Sequence, residues 1–90
     1  MIERELQIRN RLGLHARAAA RFVHAASRFR ARVQVGRAGR MMDGKSILGI
    51  LLLAASQGAL LRVAAEGEDE AAAVDALAAL VDGGFGEKDD

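Results

Sequence analysis

His15 stands where a polar turn gives way to a helical pattern, in the segment Leu12-Gly13-Leu14-His15-Ala16-Arg17-Ala18. The first turn of a helix leaves backbone N–H groups unpaired and carries the positive end of the helix dipole. This field disfavours a charged ring, so we expect a neutral, nucleophilic imidazole beside N–H groups that can hold a phosphate. Arg17 adds a guanidinium suited to phosphoryl oxygens. The pattern meets the needs of a phosphoryl carrier, although an ordinary helix-capping role for His15 fits the same position.

Ser46 is the second residue of interest, because it immediately precedes an apolar run over residues 47–55. The leucine and alanine content of the run favours a helix, and serine is a preferred residue at a helix N-cap. A short helix in a small protein cannot bury a run that is apolar on almost every face. We therefore expect part of the run to be exposed as a docking surface, drawn from Ile47, Leu48, Leu51 and Leu52.

Other chemistries have less support in the sequence. His24 lies on the expected helix, nine residues after His15 and without clustered carboxylates, so we predict no metal site. A hydrolytic triad could use Ser27, Ser46 or Ser56, but the sequence has no nucleophile elbow. The absence of cysteine excludes a disulfide framework and thiolate ligands.

The elements that position these residues follow from the spacing of apolar side chains. Alternation of apolar and polar residues predicts four strands, at residues 2–9, 31–35, 40–42 and 61–65. The i, i+3, i+4, i+7 spacing predicts a first helix over residues 16–28 whose buried stripe is Ala19, Phe22, Val23 and Ala26. A second helix is predicted over residues 47–55. A third ends before Gly83 and buries Val74, Leu77, Ala78 and Val81.

The order of these elements is βαββαβα, which indicates an α+β fold. We predict an open-faced two-layer sandwich in which three helices cover one face of a four-stranded antiparallel sheet. A length of 90 residues leaves room for one domain, which we assign to residues 1–84. We expect residues 85–90 to form a flexible tail.

Charge is distributed unevenly along the chain. Residues 1–45 hold 11 basic and 3 acidic side chains, whereas residues 46–90 hold 2 and 9. The basic half suggests an anionic partner, such as an acidic protein face or a phosphoryl group. Nucleic acid is not favoured, because aromatic residues make up 3% of the chain and stacking side chains are therefore scarce.

Neither membrane insertion nor secretion is expected from the sequence. No apolar run approaches the roughly 20 residues that span a bilayer. Glu3 and Glu5 stand where a secretory signal would be basic. We expect a cytoplasmic protein, with a monomer as the default state.

Three segments resemble one known family. Gly13-Leu14-His15-Ala16-Arg17-Ala18-Ala19 is similar to the active-site signature of the histidine-containing phosphocarrier (HPr) family of the bacterial phosphoenolpyruvate-dependent phosphotransferase system. Gly44-Lys45-Ser46-Ile47-Leu48-Gly49-Ile50 resembles its second signature, which contains a regulatory serine. Residues 63–70 also read like the family, so the resemblance covers essentially the whole chain.

The resemblance implies a stoichiometric carrier that is not an enzyme and needs no cofactor. In the family, a phosphoryl group passes from enzyme I to the histidine and then to an enzyme IIA domain. His15 would be phosphorylated on Nδ1, Arg17 would stabilise the phosphoryl group, and the first-turn N–H groups would belong to Ala16, Arg17 and Ala18. The family usually has proline after the arginine. Ala18 stands there instead and supplies one more N–H.

The resemblance also implies a partner surface and a regulatory site. The partner surface would combine Arg17 with Arg21, His24, Ile47, Leu48 and Leu51. Ser46 would be phosphorylated where the host possesses an HPr kinase/phosphorylase. A regulatory module with the same fold, in a nitrogen-linked branch without sugar transport, remains open as an alternative.

Overall fold

Strands and helices alternate through the computed structural model, which describes residues 1–87 of the chain. Within those residues, four strands and three α-helices follow one another as β1 (Ile2–Gln7), α1 (Ala16–Ala26), β2 (Arg32–Arg37), β3 (Arg40–Asp43), α2 (Ile47–Leu52), β4 (Leu60–Glu66) and α3 (Glu70–Asp82). A short 3₁₀ turn, Gly84–Gly86, follows α3. The predicted order βαββαβα is confirmed.

The sheet has the strand order β1-β4-β2-β3, and every neighbouring pair is antiparallel. Leu6 pairs with Leu61 in register, and both side chains are buried. Glu5 and Arg62, the next pair along, are both exposed. Since successive side chains on a strand point to opposite faces, one face of the sheet is apolar and the other is open. Helix α3 packs on β1 and β4, and α1 packs between α2 and α3, so the predicted two-layer sandwich is confirmed.

The core contains the apolar stripes that the periodicity predicted, with one exception. All four residues of the predicted α3 stripe are buried, as are Ala19, Phe22 and Ala26 of α1. Val23 is only half-buried, and Ala18 lies in the core in its place. Alanine at that position lets α1 pack closely.

Two helices end earlier than predicted, and the backbone shows why. Helix α1 ends at Ala26 instead of Arg28, because the N–H groups of Arg28 and Phe29 bond to carbonyls three residues back. Helix α2 ends at Leu52 instead of residue 55. Ala54 adopts a φ of +50°, in the left-handed region, and no right-handed helix continues through such a residue.

Residues 85–87 pack against the domain, which we did not expect. Phe85 is 1% exposed and belongs to the core cluster, and the N–H of Glu87 bonds to the carbonyl of Gly84 at 3.0 Å. The predicted flexible tail is therefore wrong for residues 85–87. Burying a phenylalanine contributes about 1.5–3 kcal/mol, enough to hold a short segment against the domain. Residues 88–90 of the predicted tail lie outside the described residues.

None of the helices within residues 1–87 has the length and apolar character needed to cross a bilayer.

Candidate functional site

The His15 side chain lies at the start of α1 and does not cap that helix. His15 is the N-cap residue by position, with an extended backbone at φ −74° and ψ 177°, but its side chain makes no capping hydrogen bond. Its carbonyl accepts the first intrahelical bond, from the N–H of Ala19 at 2.9 Å. The ring is 28% exposed. An ordinary capping role for the His15 side chain is therefore excluded. The N–H groups of Ala16, Arg17 and Ala18 lie in the first turn of α1, before the hydrogen bonds within the helix begin.

Gly13 fixes the direction in which the chain enters α1. Its φ is +66°, a conformation that L side chains rarely adopt. A Cβ at this position would lie 2.4 Å from the backbone carbonyl oxygen of Ala55. The next N–H, of Leu14, donates to that same oxygen at 2.9 Å. The loop is thus fastened to the segment after α2, and this close approach requires glycine.

Asn10 stabilises the β1–α1 loop through its side chain. Its side chain is fully buried, and Nδ2 donates to the Gly13 carbonyl at 2.8 Å and to Oε1 of Glu87 at 2.9 Å. The sequence analysis did not single out Asn10. An asparagine at the start of a turn is a weak local signal, and it does not reveal the contact with Glu87.

Glu87 lies directly against the histidine. Its Oε2 is hydrogen-bonded to Nε2 of His15, and its side chain is 16% exposed. Burial raises the pKa of Glu87, but hydrogen bonds from Asn10 and His15, with the charges of His15 and Arg21, bring it below the ordinary 4.5. The sequence analysis missed this carboxylate. No local pattern could reveal it, because the two residues are 72 positions apart.

The ring opens into a surface pocket of about 870 Å³. The β1–α1 loop contributes Arg11 and Leu12 to its lining, α1 contributes Ala16, Arg17 and Arg21, and the chain end contributes Gly86 and Glu87. Arg17 is exposed. Nη1 of Arg21 donates to the carbonyl of Phe85, so this arginine also holds the chain end in place. The pocket concentrates guanidinium groups around a partly exposed imidazole, which suits a phosphoryl group.

The predicted residues fall into separate parts of the surface. His15, Arg17 and Arg21 line one pocket, whereas His24 does not line it. His24 is exposed in the last turn of α1, about 13 Å along the helix from residue 15 at 1.5 Å per residue. The described residues contain no group of three side chains that could hold a metal ion.

Ser46 begins α2 as predicted. Its Oγ accepts a hydrogen bond from the N–H of Gly49 at 3.0 Å, and its own N–H donates to the Asp43 carbonyl at 3.1 Å. The predicted N-cap is therefore confirmed. The side chain is half-buried, so the hydroxyl remains at the edge of the surface.

Helix α2 exposes an apolar surface, as expected. Ile47 is 44% exposed, Leu48 67% and Leu52 50%, whereas Leu51 is half-buried against the core. Leu12 is 62% exposed in the His15 pocket, and the sequence analysis did not single it out. Helices α1 and α2 pack together, so the α2 surface adjoins the helix that begins at His15.

Fold and pocket together define a small open-faced sandwich protein in which one histidine occupies an uncapped helix start. A family model described as the PTS HPr component phosphorylation site matches residues 2–82. The phosphocarrier protein HPr of Xylella fastidiosa is 47% identical over 87 residues, which is 97% of this chain and 98% of that protein. The chain therefore belongs to the HPr family of phosphocarrier proteins of the phosphotransferase system.

The solved structures agree with this assignment. An HPr crystal structure from Thermoanaerobacter tengcongensis superposes with a TM-score of 0.94 at 43% identity, covering 98% of this chain and 99% of that one. A structure described as an HPr dimer from the same organism has a TM-score of 0.78 at 44% identity, covering 97% and 100%. A protein named phosphocarrier protein NPr from Shewanella violacea is 40% identical, covering 96% of this chain and 94% of that protein.

Proposed function

We propose that His15 accepts a phosphoryl group from phosphorylated enzyme I and passes it to enzyme IIA domains. The observation that carries this proposal is the position of the ring, which is 28% exposed at an uncapped helix start, in a pocket with Arg17 and Arg21. A nitrogen–phosphorus bond forms on His15 as the bond to the donor breaks. The reverse exchange delivers the group to the acceptor, so the protein acts stoichiometrically and needs no cofactor.

The surroundings of the ring support both states of such a carrier. Before transfer, the imidazole is accessible to a donor. After transfer, the phosphoryl oxygens gain the N–H groups that begin α1 and the guanidinium of Arg17. Ala18 contributes an N–H where the family usually has proline. Its buried side chain does not obstruct the pocket.

The test is phosphorylation by enzyme I and phosphoenolpyruvate. We expect the wild type to gain one acid-labile phosphoryl group and His15→Ala to gain none. His24→Ala controls for the identity of the acceptor, since it removes the exposed histidine of the same helix. At the end point of the reaction it should still carry one phosphoryl group, because His24 is assigned to partner docking and not to the acceptor. A His15→Ala protein that still carried the group would overturn the assignment.

We assign the partner surface to the basic edge of α1 and the apolar face of α2. The basic edge comprises Arg17, Arg21 and His24, and the apolar face comprises Ile47, Leu48 and Leu51. The structure adds Leu52, which is also exposed on α2, and Leu12, which is exposed in the neighbouring β1–α1 loop. Leu48→Asp should weaken enzyme I binding, because it places an acid in the most exposed part of the apolar face. Leu60→Asp is the control, since Leu60 is 53% exposed on the sheet. Equal binding by both variants would contradict this surface.

We infer that Ser46 is a regulatory site for an HPr kinase/phosphorylase. A phosphate there would add nearly two negative charges at the start of α2 and beside its apolar face. Docking to an acidic partner would weaken. Incubation with the kinase and ATP should label the wild type and leave Ser46→Ala unlabelled, and label on both proteins would count against this site.

The same carrier could serve a sugar-transport branch or a nitrogen-linked regulatory branch. We favour transport, since the HPr relative is 47% identical and the NPr relative 40%. Transfer from the phosphorylated protein to a sugar-specific enzyme IIA domain would support this choice, and transfer to a regulatory acceptor alone would reverse it. We propose that this exchange occurs in the cytoplasm. We also propose that the protein acts as a monomer, and sedimentation at working concentration tests this oligomeric state.

A further inference from the structure

Residues 84–87 are held against the site by several contacts. Phe85 is buried in the core although its φ is +58°, a conformation that costs a side-chain-bearing residue free energy. Arg21 donates to its carbonyl, and the N–H groups of Gly86 and Glu87 bond to the carbonyls of Gly83 and Gly84 at 3.2 and 3.0 Å. These contacts fix the turn that places the Glu87 side chain beside the His15 ring. This residue lies beyond the segment 2–82 that the family model covers.

Both carboxylate oxygens of Glu87 are engaged. Oε1 accepts from Nδ2 of Asn10 at 2.9 Å, and Oε2 bonds to Nε2 of His15. The Asn10 amide is itself fixed, because Nδ2 also donates to the Gly13 carbonyl at 2.8 Å. A flipped amide would turn its oxygen toward two acceptors. The carboxylate is therefore held in place by a buried side chain and by the loop that leads into α1.

An ionised carboxylate can only accept hydrogen bonds, so the ring nitrogen that faces it must carry the proton. A neutral imidazole has one N–H, and a proton on Nε2 leaves the lone pair on Nδ1. Carboxylates orient histidines in this way in hydrolytic triads, where they also stabilise the cationic ring that forms.

We propose that Glu87 is the positioning residue of His15, holding the proton on Nε2 and thereby directing the phosphoryl group to Nδ1. This inference rests on the proposed carrier function. The Nδ1–phosphorus bond forms as the bond between phosphorus and the donor breaks, and Nε2 keeps its proton. The ring gains a positive charge that the Glu87 carboxylate faces. When the group leaves, Nδ1 regains its lone pair, so the exchange moves no proton.

The first test uses the unphosphorylated protein and needs no partner. In ¹⁵N-labelled wild type, ¹H–¹⁵N spectra should show the His15 Nε2–H as a hydrogen-bonded, slowly exchanging signal. Glu87→Gln and Glu87→Ala should lose that signal, since glutamine lacks the charge and turns an amide toward Asn10. The exposed His24 provides a reference in the same spectra. A wild-type proton on Nδ1 would overturn the proposal.

The second test measures transfer. The two Glu87 variants should accept the phosphoryl group roughly ten- to a hundredfold more slowly, the effect of losing one hydrogen bond to a charged group. Glu87→Asp should restore part of the rate. Glu68→Gln, which removes an exposed acid from the β4–α3 turn, should transfer at the wild-type rate. Wild-type rates in both Glu87 variants, or a phosphoryl group on Nε2, would refute the role of Glu87.

The two tests separate this inference from the proposed function. A protein that enzyme I does not phosphorylate, but whose Nε2–H signal depends on Glu87, would refute the carrier role and retain the Glu87–His15 contact. Circular dichroism should give the wild-type spectrum for each variant, so that a lost Nε2–H signal reports the contact and not unfolding.

Discussion

The starts of α1 and α2 differ in the use they make of their first N–H groups. At α2, Ser46 accepts a hydrogen bond from its own helix through Oγ. At α1, His15 makes no capping bond, and its ring is paired with a carboxylate from the other end of the chain. A capped helix start is a source of stability, whereas an uncapped start with a dipole and free donors is an anion site. The same local feature therefore serves stability in one place and ligand binding in the other.

The largest expected effect comes from placing a serine at the N-cap of α1, as in α2. His15→Ser should abolish phosphorylation by enzyme I, because serine lacks the nucleophilic nitrogen. It should also be about 1 kcal/mol more stable than His15→Ala, since serine can cap the helix. Urea denaturation of the two variants measures this difference. Equal stability of the serine and alanine variants would mean that the start of α1 cannot accept a cap.

Gly13→Ala should destabilise the protein by about 2 kcal/mol or more, because it combines left-handed strain with a close approach to a backbone oxygen. Gly58→Ala is the matched control. Gly58 has a φ of +89° but nothing within 4 Å of a Cβ, so only the strain applies there. A smaller loss at Gly13 than at Gly58 would contradict the fastening of the α1 loop to Ala55.

Ser46→Ala should cost about 1 kcal/mol, the usual effect of removing a serine cap. Phosphoryl transfer from enzyme I should stay close to the wild-type rate, because His15 is untouched. Ser27→Ala, at an exposed position after α1, should leave the stability nearly unchanged. An equal loss in both variants would show that the Oγ bond to Gly49 contributes nothing.

The start of α3 differs from both of the others, and a substitution there should have a smaller effect on stability. Asp69 precedes α3, but its carboxylate accepts from the N–H groups of Arg30 and Ala31 at 2.9 and 2.8 Å and not from its own helix. The bond from Arg30 is the main cause that lowers the pKa of Asp69 below 3.8. A lowered pKa means that its stabilising contribution is present above pH 3.8 and is lost as the pH falls further. Asp69→Asn should therefore flatten the fall in thermal midpoint below pH 4, and an unchanged slope would exclude this contact as its source.

Most of the fold could be predicted from the sequence, since it rests on local regularities. Period-two alternation marked the strands, and the stripe of Val74, Leu77, Ala78 and Val81 marked α3. The errors were at the ends of elements, at Val23 of the predicted α1 stripe, and in residues 85–87, which we expected to form a flexible tail. The left-handed backbone of Ala54 ends α2 in a run whose composition favours a longer helix, and no side-chain pattern marks such a change in backbone.

The sequence by itself determined that His15 and Ser46 each begin a helix, because turn residues and apolar spacing act over a few positions. Tertiary structure alone decided that the histidine meets Glu87, that Asn10 holds that carboxylate, and that Phe85 fastens the chain end. The His15–Glu87 contact joins residues 72 positions apart, and no periodicity extends that far. This pair forms because folding buries Phe85 and thereby brings residues 84–87 to the start of α1.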